Sequence, residues 1–583
     1  TTGARQPGGL GLAADVNHVR LASVVKVGEL AHQVQRTQVH RTQGMLISGR
    51  AVVCEGRGRA RGPQGERQAS PSILAIRAPR ISRTPVVPVP VTTLRSTLPL
   101  LIVGMVLATA TPAVDLPDLG DPSVGVLSPV MERKLGEQIM VDIRNDRGYL
   151  RDPEIVQYLN ELADRLLAGS PDKSTPITVF AVRDRSINAF ALPGGFIGVH
   201  TGLMRSAQNE SELAGVLGHE ISHVTQRHIA RFFEKQQSNS VPLLLSLAVA
   251  LLAARSSPDL AAAAMTVPQA LAMQSALNFS RDNEREADRL GYQMLVSGGF
   301  DPAGMGGFFA RLQDATRFLE NNAPVYLRTH PLTQERMADM QNRAQQTGYK
   351  QVTDNRDFQL LRAKARAAEG EPREAVAGFR ETEGLRGMPD PARKYGLGLA
   401  WMRAGDLAQA RAALEGARRD WPDSAIVESA WGRLLAAQAA ATQMGDTPAV
   451  SDRNAIDAFY DSATRRFPRS RQLIHDQARW LLDSGLTAKA NTLLQQQTRT
   501  YPGDIDLLPL LSRAYADSGR QLMSHTTLAE FHAKRNELHQ AIEQLRIALL
   551  AGDGNFYEQS VAEARKRELE ALERERKAER EKR

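Results

Sequence analysis

Gly218-His219-Glu220-Ile221-Ser222-His223 holds the residue types whose spacing most directly suggests chemistry. On a helix, two imidazoles four positions apart lie one turn apart along the axis and about 40° around it, so both can face one metal ion. Glu220, between them, is placed to take a proton from a water whose pKa a metal lowers towards neutrality. His219 and His223 are therefore candidate ligands, Glu220 a candidate general base, and hydrolysis the candidate chemistry. Such a short pattern also arises by chance, so a third ligand must come from elsewhere in the chain. Downstream, Glu284, Ala287, Asp288, Gly291 and Leu295 share one helical stripe. Two carboxylates on a core-facing stripe need a partner, because an unpaired buried charge is costly. This predicts Glu284 as third ligand and Asp288, one turn on, as the acceptor of a ring N–H that fixes a histidine tautomer. The competing reading is a surface helix with i,i+4 charge pairs. Glu286 falls off the stripe and reads as solvated. His228 is rotated about 140° from His223 and reads as structural.

Around these residues, Val130 to Ile143 and Asp152 to Leu167 show helical spacing, and Thr175 to Val182 reads as a strand. Ile187 to Gly202 reads as a further strand with a tight turn at Pro193-Gly194. Its glycines suggest that Gly195, Phe196, Ile197 and Gly198 form an accessible edge to which an extended substrate adds as a strand. An ordinary hairpin is equally open on these residues. Asn209 or Ser211 can cap the helix carrying His219, with Glu212 at capping-box spacing, and that helix is expected to run to about Phe233. The apolar run 241–254 is short for a membrane span and suits a helix over the cleft or one touching a membrane or partner.

The chain has 583 residues, 42% of them hydrophobic, 5% aromatic, and a net charge of +8. That charge is local: residues 1–95 hold fourteen Lys/Arg against four Asp/Glu, leaving the rest at about −2. Nucleic acid is thereby excluded as a partner. Residues 1–95 lack sustained periodicity and are expected to be disordered or translated from too early a start. Residues 96–110, with Arg95 before them, an apolar core and Ala108-Thr109-Ala110, read as a signal peptide, with a buried helix or membrane anchor as the alternative. The single cysteine, Cys54, lies upstream of that cleavage point, so the mature chain would carry no thiol, as suits an exported protein.

From about 355 to 560 a 34-residue period emerges. Gly405, Ala410, Leu414, Ala417 and Pro422 are matched by Gly485, Ala490, Leu494 and Pro502, with Tyr515 and Gly519 continuing the spacing and Gly370, Ala375 and Phe379 preceding it. This is the tetratricopeptide period. The longer step from Pro422 to Pro468 predicts an inserted loop at Ala441 to Arg453. Residues 561–583 read as a charged helix or tail. The solenoid would present segments or dock partners, or merely brace the rest.

Taken together, His219-Glu-x-x-His223, Glu284-x-x-x-Asp288 and Asn188-Ala-Phe-Ala-Leu-Pro-Gly-Gly195 resemble the zinc metallopeptidases that include the CaaX prenyl endopeptidases and heat-shock membrane proteases. The resemblance is strongest to the secreted bacterial branch that adds tetratricopeptide repeats. It implies a mainly α fold: a helix-rich, gluzincin-like zincin domain with a small β-sheet over 111–350, then an α-solenoid. It implies one Zn2+ per chain on His219, His223 and Glu284. Within Arg328-Thr-His-Pro-Leu-Thr-Gln-Glu-Arg336 it makes His330 a candidate fourth ligand or latch. It further implies a periplasmic endopeptidase acting on misfolded outer-membrane proteins and docking the outer-membrane assembly machinery through its repeats, with peripheral membrane contact left open. The rival is a repeat-based periplasmic chaperone or adaptor whose metal is mainly structural.

Overall fold

The computed structural model describes residues 127–236, 281–316, 324–348, 350, 352–381, 385, 387–441 and 450–581. The N-terminal extension, the signal peptide, the 241–254 run and residues 442–449 of the inserted loop lie outside the described residues. All described residues belong to one compact unit, Thr111–Arg583. Among them, no helix is long and apolar enough to cross a membrane.

The catalytic part opens with α1 (Pro129–Asn145) and α2 (Pro153–Leu167). Each has a side-chain cap and Pro at its start: Ser128 Oγ accepts from Met131 N, and Asp152 Oδ1 from the N–H groups of Glu154 and Ile155. Four short strands follow the order β1-β2-β4-β3: β1 (Tyr149–Leu150), β2 (Thr178–Val182), β3 (Ala189–Leu192) and β4 (Phe196–His200). β4 pairs parallel with β2 and antiparallel with β3. This corrects the expected substrate edge. Phe196, Ile197 and Gly198 lie in a central strand bonded on both sides, and Gly195 sits in the turn before it, where its carbonyl accepts from Thr178 N. The free edge near the helices is β3.

Next come α3 (Thr201–Ser206), α4 (Glu210–Thr225) and α5 (His228–Gln236). Asn209 caps α4 by accepting from Glu212 N, while the Glu212 carboxylate takes Gln208 N rather than the N–H of the cap itself. The expected run to Phe233 is broken: Arg227 adopts φ 52°, a left-handed turn that ends α4 and re-aims the chain. The catalytic part ends with α6 (Arg281–Ser297), α7 (Ala303–Thr316), α8 (Val325–Thr329) and α9 (Gln334–Thr347).

Helical hairpins then continue the chain: α10 (Arg356–Ala367), α11 (Pro372–Arg380), α12 (Asp390–Ala404), α13 (Leu407–Asp420), α14 (Ala425–Ala441), α15 (Val450–Arg466), α16 (Arg471–Asp483), α17 (Thr487–Thr500), α18 (Leu507–Asp517), α19 (Gln521–Lys534), α20 (Leu538–Leu550) and α21 (Phe556–Glu581). The periodic residues do what the period requires. Ala410, Leu414 and Ala417 are buried on α13, Ala490 and Leu494 on α17, and Gly405 and Gly485 turn the corners with φ of 82° and 71°. One apolar cluster runs from Ile155 on α2 through Phe358 and Leu361 on α10 to Leu434 on α14, so catalytic helices and the first repeats share a core. The charged C-terminal stretch is no free tail. α21 begins at Phe556 and packs Ala562 and Leu569 against α19 and α20.

Candidate metal centre

Two glycines bring the metal-site helices together. A Cβ on Gly291 of α6 would lie 2.8 Å from His219 N, and one on Gly218 of α4 would lie 3.1 Å from Gly291 O. Backbone meets backbone there, which carries Glu284 and Asp288 up to the two histidines.

His219, His223, Glu284 and His330 then offer one ligand atom each within 4.8 Å of one another, all from buried residues. His223 Nε2 is 2.9 Å from His219 Nε2, His219 Nε2 is 3.4 Å from Glu284 Oε2 and from His330 Nδ1, and His330 Nδ1 is 3.0 Å from Glu284 Oε1. A tetrahedral ion with ligands at about 2.0–2.1 Å sets ligand atoms about 3.3 Å apart, so the cluster fits such an ion.

Each ring is held from behind. His219 Nδ1 is 3.0 Å from Asp288 Oδ1, so the ring donates there and turns the Nε2 lone pair inward. Asp288 is itself gripped by Arg336, Nε to Oδ2 at 2.6 Å and Nη2 to Oδ1 at 2.8 Å. Arg336 Nη1 also reaches Glu284 Oε2 at 2.7 Å and donates to Pro331 O at 2.8 Å. On the far side His223 Nδ1 meets His228 Nδ1 at 2.8 Å, and His228 Nε2 meets Glu286 Oε2 at 3.1 Å, which Arg231 also binds. The consistent assignment is a relay in which His223 donates to His228 and His228 donates to Glu286. Glu286, partly solvated as its place off the stripe predicted, also braces the site, because the break at Arg227 turns His228 back towards it.

Burial pushes the His219 ring towards the neutral form, but Asp288 and Glu284 overcome it and raise its pKa to about 9. Burial and the neighbouring His219 hold His223 well below its usual value. Burial would raise Glu284, yet His330 and His219 drive it well below the usual carboxylate range. Burial raises Glu220, whose two oxygens have no hydrogen-bond partner, with His330 Nε2 3.5 Å from Oε1. With the histidine rings neutral, as metal ligands must be, Glu220, Glu284 and Asp288 face only Arg336, a deficit that one divalent cation closes; the raised pKa of His219 is the same excess of negative charge seen from the ring.

All the predicted site residues except Gly195 to Gly198 converge here. Sequence reasoning missed Arg336, the bracing role of His228 and Glu286, and Tyr326, which is buried with its ring tilted against that of His330, centroids 4.8 Å apart. The one available signal was that two carboxylates on one stripe exceed what a single ligand position needs.

A paired-histidine helix, a carboxylate ligand from a second helix and an orphaned glutamate define a metallopeptidase centre. Residues 150–344 match the model of peptidase family M48. The chain is 32% identical to the beta-barrel assembly-enhancing protease of Escherichia coli K12, over 77% of this chain and 91% of that one. It is 37% identical to a putative beta-barrel assembly-enhancing protease of Vibrio cholerae, over 53% of this chain and 65% of that one, just under two thirds of its length. It is 27% identical to the mitochondrial metalloendopeptidase OMA1 of Schizosaccharomyces pombe, over 35% of this chain and 59% of that one. The chain belongs to peptidase family M48.

Proposed function

We propose that the chain is an exported zinc endopeptidase that acts on misfolded outer-membrane proteins and docks the outer-membrane assembly machinery through its repeats. The names of the relatives from Escherichia coli and Vibrio cholerae support the setting. The single observation that carries the chemistry is the fully buried Glu220 carboxylate beside a donor cluster of tetrahedral size.

One Zn2+ held by His219, His223 and Glu284 would act as a Lewis acid on a carbonyl oxygen and acidify water. Glu220 then takes the proton of the attacking water and passes it to the leaving amine. Its raised pKa suits both halves of that transfer. Asp288, Arg336 and His228 keep the rings aimed. The extended substrate adds to β3, whose Ala191 N–H faces Glu220, rather than to Gly195-Phe196-Ile197-Gly198. His330, whose Nδ1 lies with the other three donors, would close the site in a latent state, and as a latch it would have to withdraw to admit substrate.

A second reading has support in that same closure: four protein donors with no open position are the mark of a structural site. In that case the molecule is a periplasmic adaptor. A Glu220→Gln variant separates them. The peptidase is expected to keep its zinc, measured by mass spectrometry of the native protein, and to lose proteolysis together with its cellular effect. Retention of the cellular effect would favour the adaptor. For the latch, His330→Ala is expected to raise basal cleavage of an unfolded substrate, and unchanged cleavage and zinc affinity would remove the idea.

A further inference from the structure

A cleft of 630 Å³ lies between the catalytic part and the repeats, lined by none of the metal ligands. Its first wall is α1, β1, α2 and the outer edge of β2, and its second is the 500–506 corner with Arg471, Lys534 and Arg535. Val156 on one side and Tyr501 and Ile505 on the other line it with apolar surface. One face of α2 lines it from Pro153 to Asp164. At about 1.5 Å rise per residue that is ~17 Å, room for about five extended residues. Clefts of such size at domain junctions are where ligands bind.

Charge is sorted along this cleft. At one end Arg144, Arg151 and Arg535 gather around Tyr149 and Asp506. Arg151 Nη2 donates to the Arg144 carbonyl at 3.1 Å, and among the described residues neither side chain forms an ion pair. Arg535 is 8% exposed and pairs with Glu537, yet its buried Nε has no partner. Arg471, also 8% exposed, pairs with Asp504 and lies 3.8 Å over the Tyr501 ring, leaving Nη1 without a partner. Buried guanidinium N–H groups without acceptors are costly, so this end wants an anion. At the other end stand Glu161 and Asp164. An acyl chain prefers a continuous apolar tunnel, whereas a floor between rims of opposite charge suits a polypeptide with alternating side chains.

We propose that this cleft is an exosite for an extended acidic and apolar segment of a protein ligand, with side-chain carboxylates on Arg144, Arg151 and Arg535 and apolar side chains on Val156, Tyr501 and Ile505. β1 and β3 are the two outer strands of the sheet, about 14 Å apart at a strand spacing of ~4.8 Å. A protein held in the exosite therefore has its next stretch of chain within reach of the β3 edge.

The test is fluorescence anisotropy on the full chain. The probe is a doubly capped, labelled hexapeptide of two glutamates followed by alternating leucine and tyrosine. Saturable, salt-sensitive binding is expected, weakened by about tenfold or more in Arg144→Glu/Arg151→Glu, in Ile505→Asp, and when glutamine replaces both glutamates in the probe. Cleavage of a short unrelated peptide should stay unchanged in both variants, which shows that the fold and the metal centre are intact. Binding also does not depend on hydrolysis, so this inference and the peptidase reading fail separately. Absent binding, equal binding of the two peptides, or indifference to charge reversal overturns the proposal. So does displacement of the probe by phosphatidylglycerol vesicles but not by unlabelled peptide, which would assign the cleft to lipid.

Discussion

His219 and His223 are poised for a cation because each Nδ1 is already engaged, by Asp288 and by His228, which leaves both Nε2 atoms turned inward. The brace on His219 is ionic, so Asp288→Asn keeps the shape and removes the charge. Zinc affinity is expected to fall by about 10–100-fold, read by competition with a chelator. An unchanged affinity would mean that Arg336 and Asp288 merely pair with each other. The other brace titrates. Burial lowers the His228 pKa to about 4, with Glu286 opposing. The folded state therefore prefers the neutral ring, while the unfolded ring protonates near its ordinary value of about 6.5. The stability this supplies is complete above pH 6.5 and is lost as the pH falls towards 4. Melting curves at pH 7 and pH 5 should show a larger drop in Tm for the wild type than for His228→Gln, and equal drops would contradict the assignment. The sequence showed that His228 could not reach the metal, because rotation about one axis sufficed for that. It did not show the brace, because the brace depends on the turn at Arg227, where no glycine marks a left-handed residue.

Metal-site helices were legible as elements because each carries its pair of site residues at helical spacing, His219 and His223 on one and Glu284 and Asp288 on the other, i,i+4 in both cases. Their contact was half legible: Gly291 stood on the carboxylate stripe, yet nothing local says that a second glycine, Gly218, faces it. Gly291→Ala puts a Cβ 2.8 Å from His219 N and must push α6 off α4. A loss of about 1–3 kcal/mol in unfolding free energy is expected. Zinc affinity should fall with it, since Glu284 and Asp288 ride on the displaced helix. Destabilisation with full zinc affinity would show that α6 adapts without carrying its ligands away. The sheet was the poorest reading, for a physical reason. Strand order is set by contacts between distant segments, and the glycines that seemed to mark an edge serve other needs: a Cβ on Gly198 would strike the Phe190 ring, and Gly195 takes φ 87° in the turn. With β3 as the true edge, Ala191→Pro removes the N–H that faces Glu220. It is expected to cut proteolysis at least about tenfold with zinc retained. Undiminished cleavage would take β3 out of substrate binding.

At the scale of the molecule, the repeat period was legible as a solenoid, but its fusion to the catalytic helices was not, because a period describes neighbours along the chain and not what lies across it. α10 is the joint. Phe358, Leu360 and Leu361 are fully buried, and Lys364 reaches across to α2, with Nζ 2.7 Å from Asp152 Oδ2 and 2.7 Å from Glu154 Oε2. Those carboxylates are largely buried, so Lys364→Met leaves them facing each other with Arg433 as the remaining neighbouring cation. Removing one partner from a buried ionic cluster costs about 3–5 kcal/mol. Adding Glu154→Leu to that variant should recover part of the loss, since an apolar pair replaces the broken ionic one. Both effects are to be read from the midpoint of denaturant unfolding, and a shift no larger than that of a surface substitution would mean that the joint is solvated and the two parts are merely tethered. The shared core makes a stronger demand. Because α2, α3, α10 and α12 pack in one apolar cluster, the catalytic helices and first repeats should unfold together, while the cluster around α19 to α21 can melt on its own and the one spanning α14 to α18 joins the first only through α14 and α15. A fragment ending at residue 350 would expose the α10 side of that core and is expected not to fold, as judged by near-ultraviolet circular dichroism. A folded, zinc-binding fragment of that length would show instead that the repeats were added to a domain already complete without them.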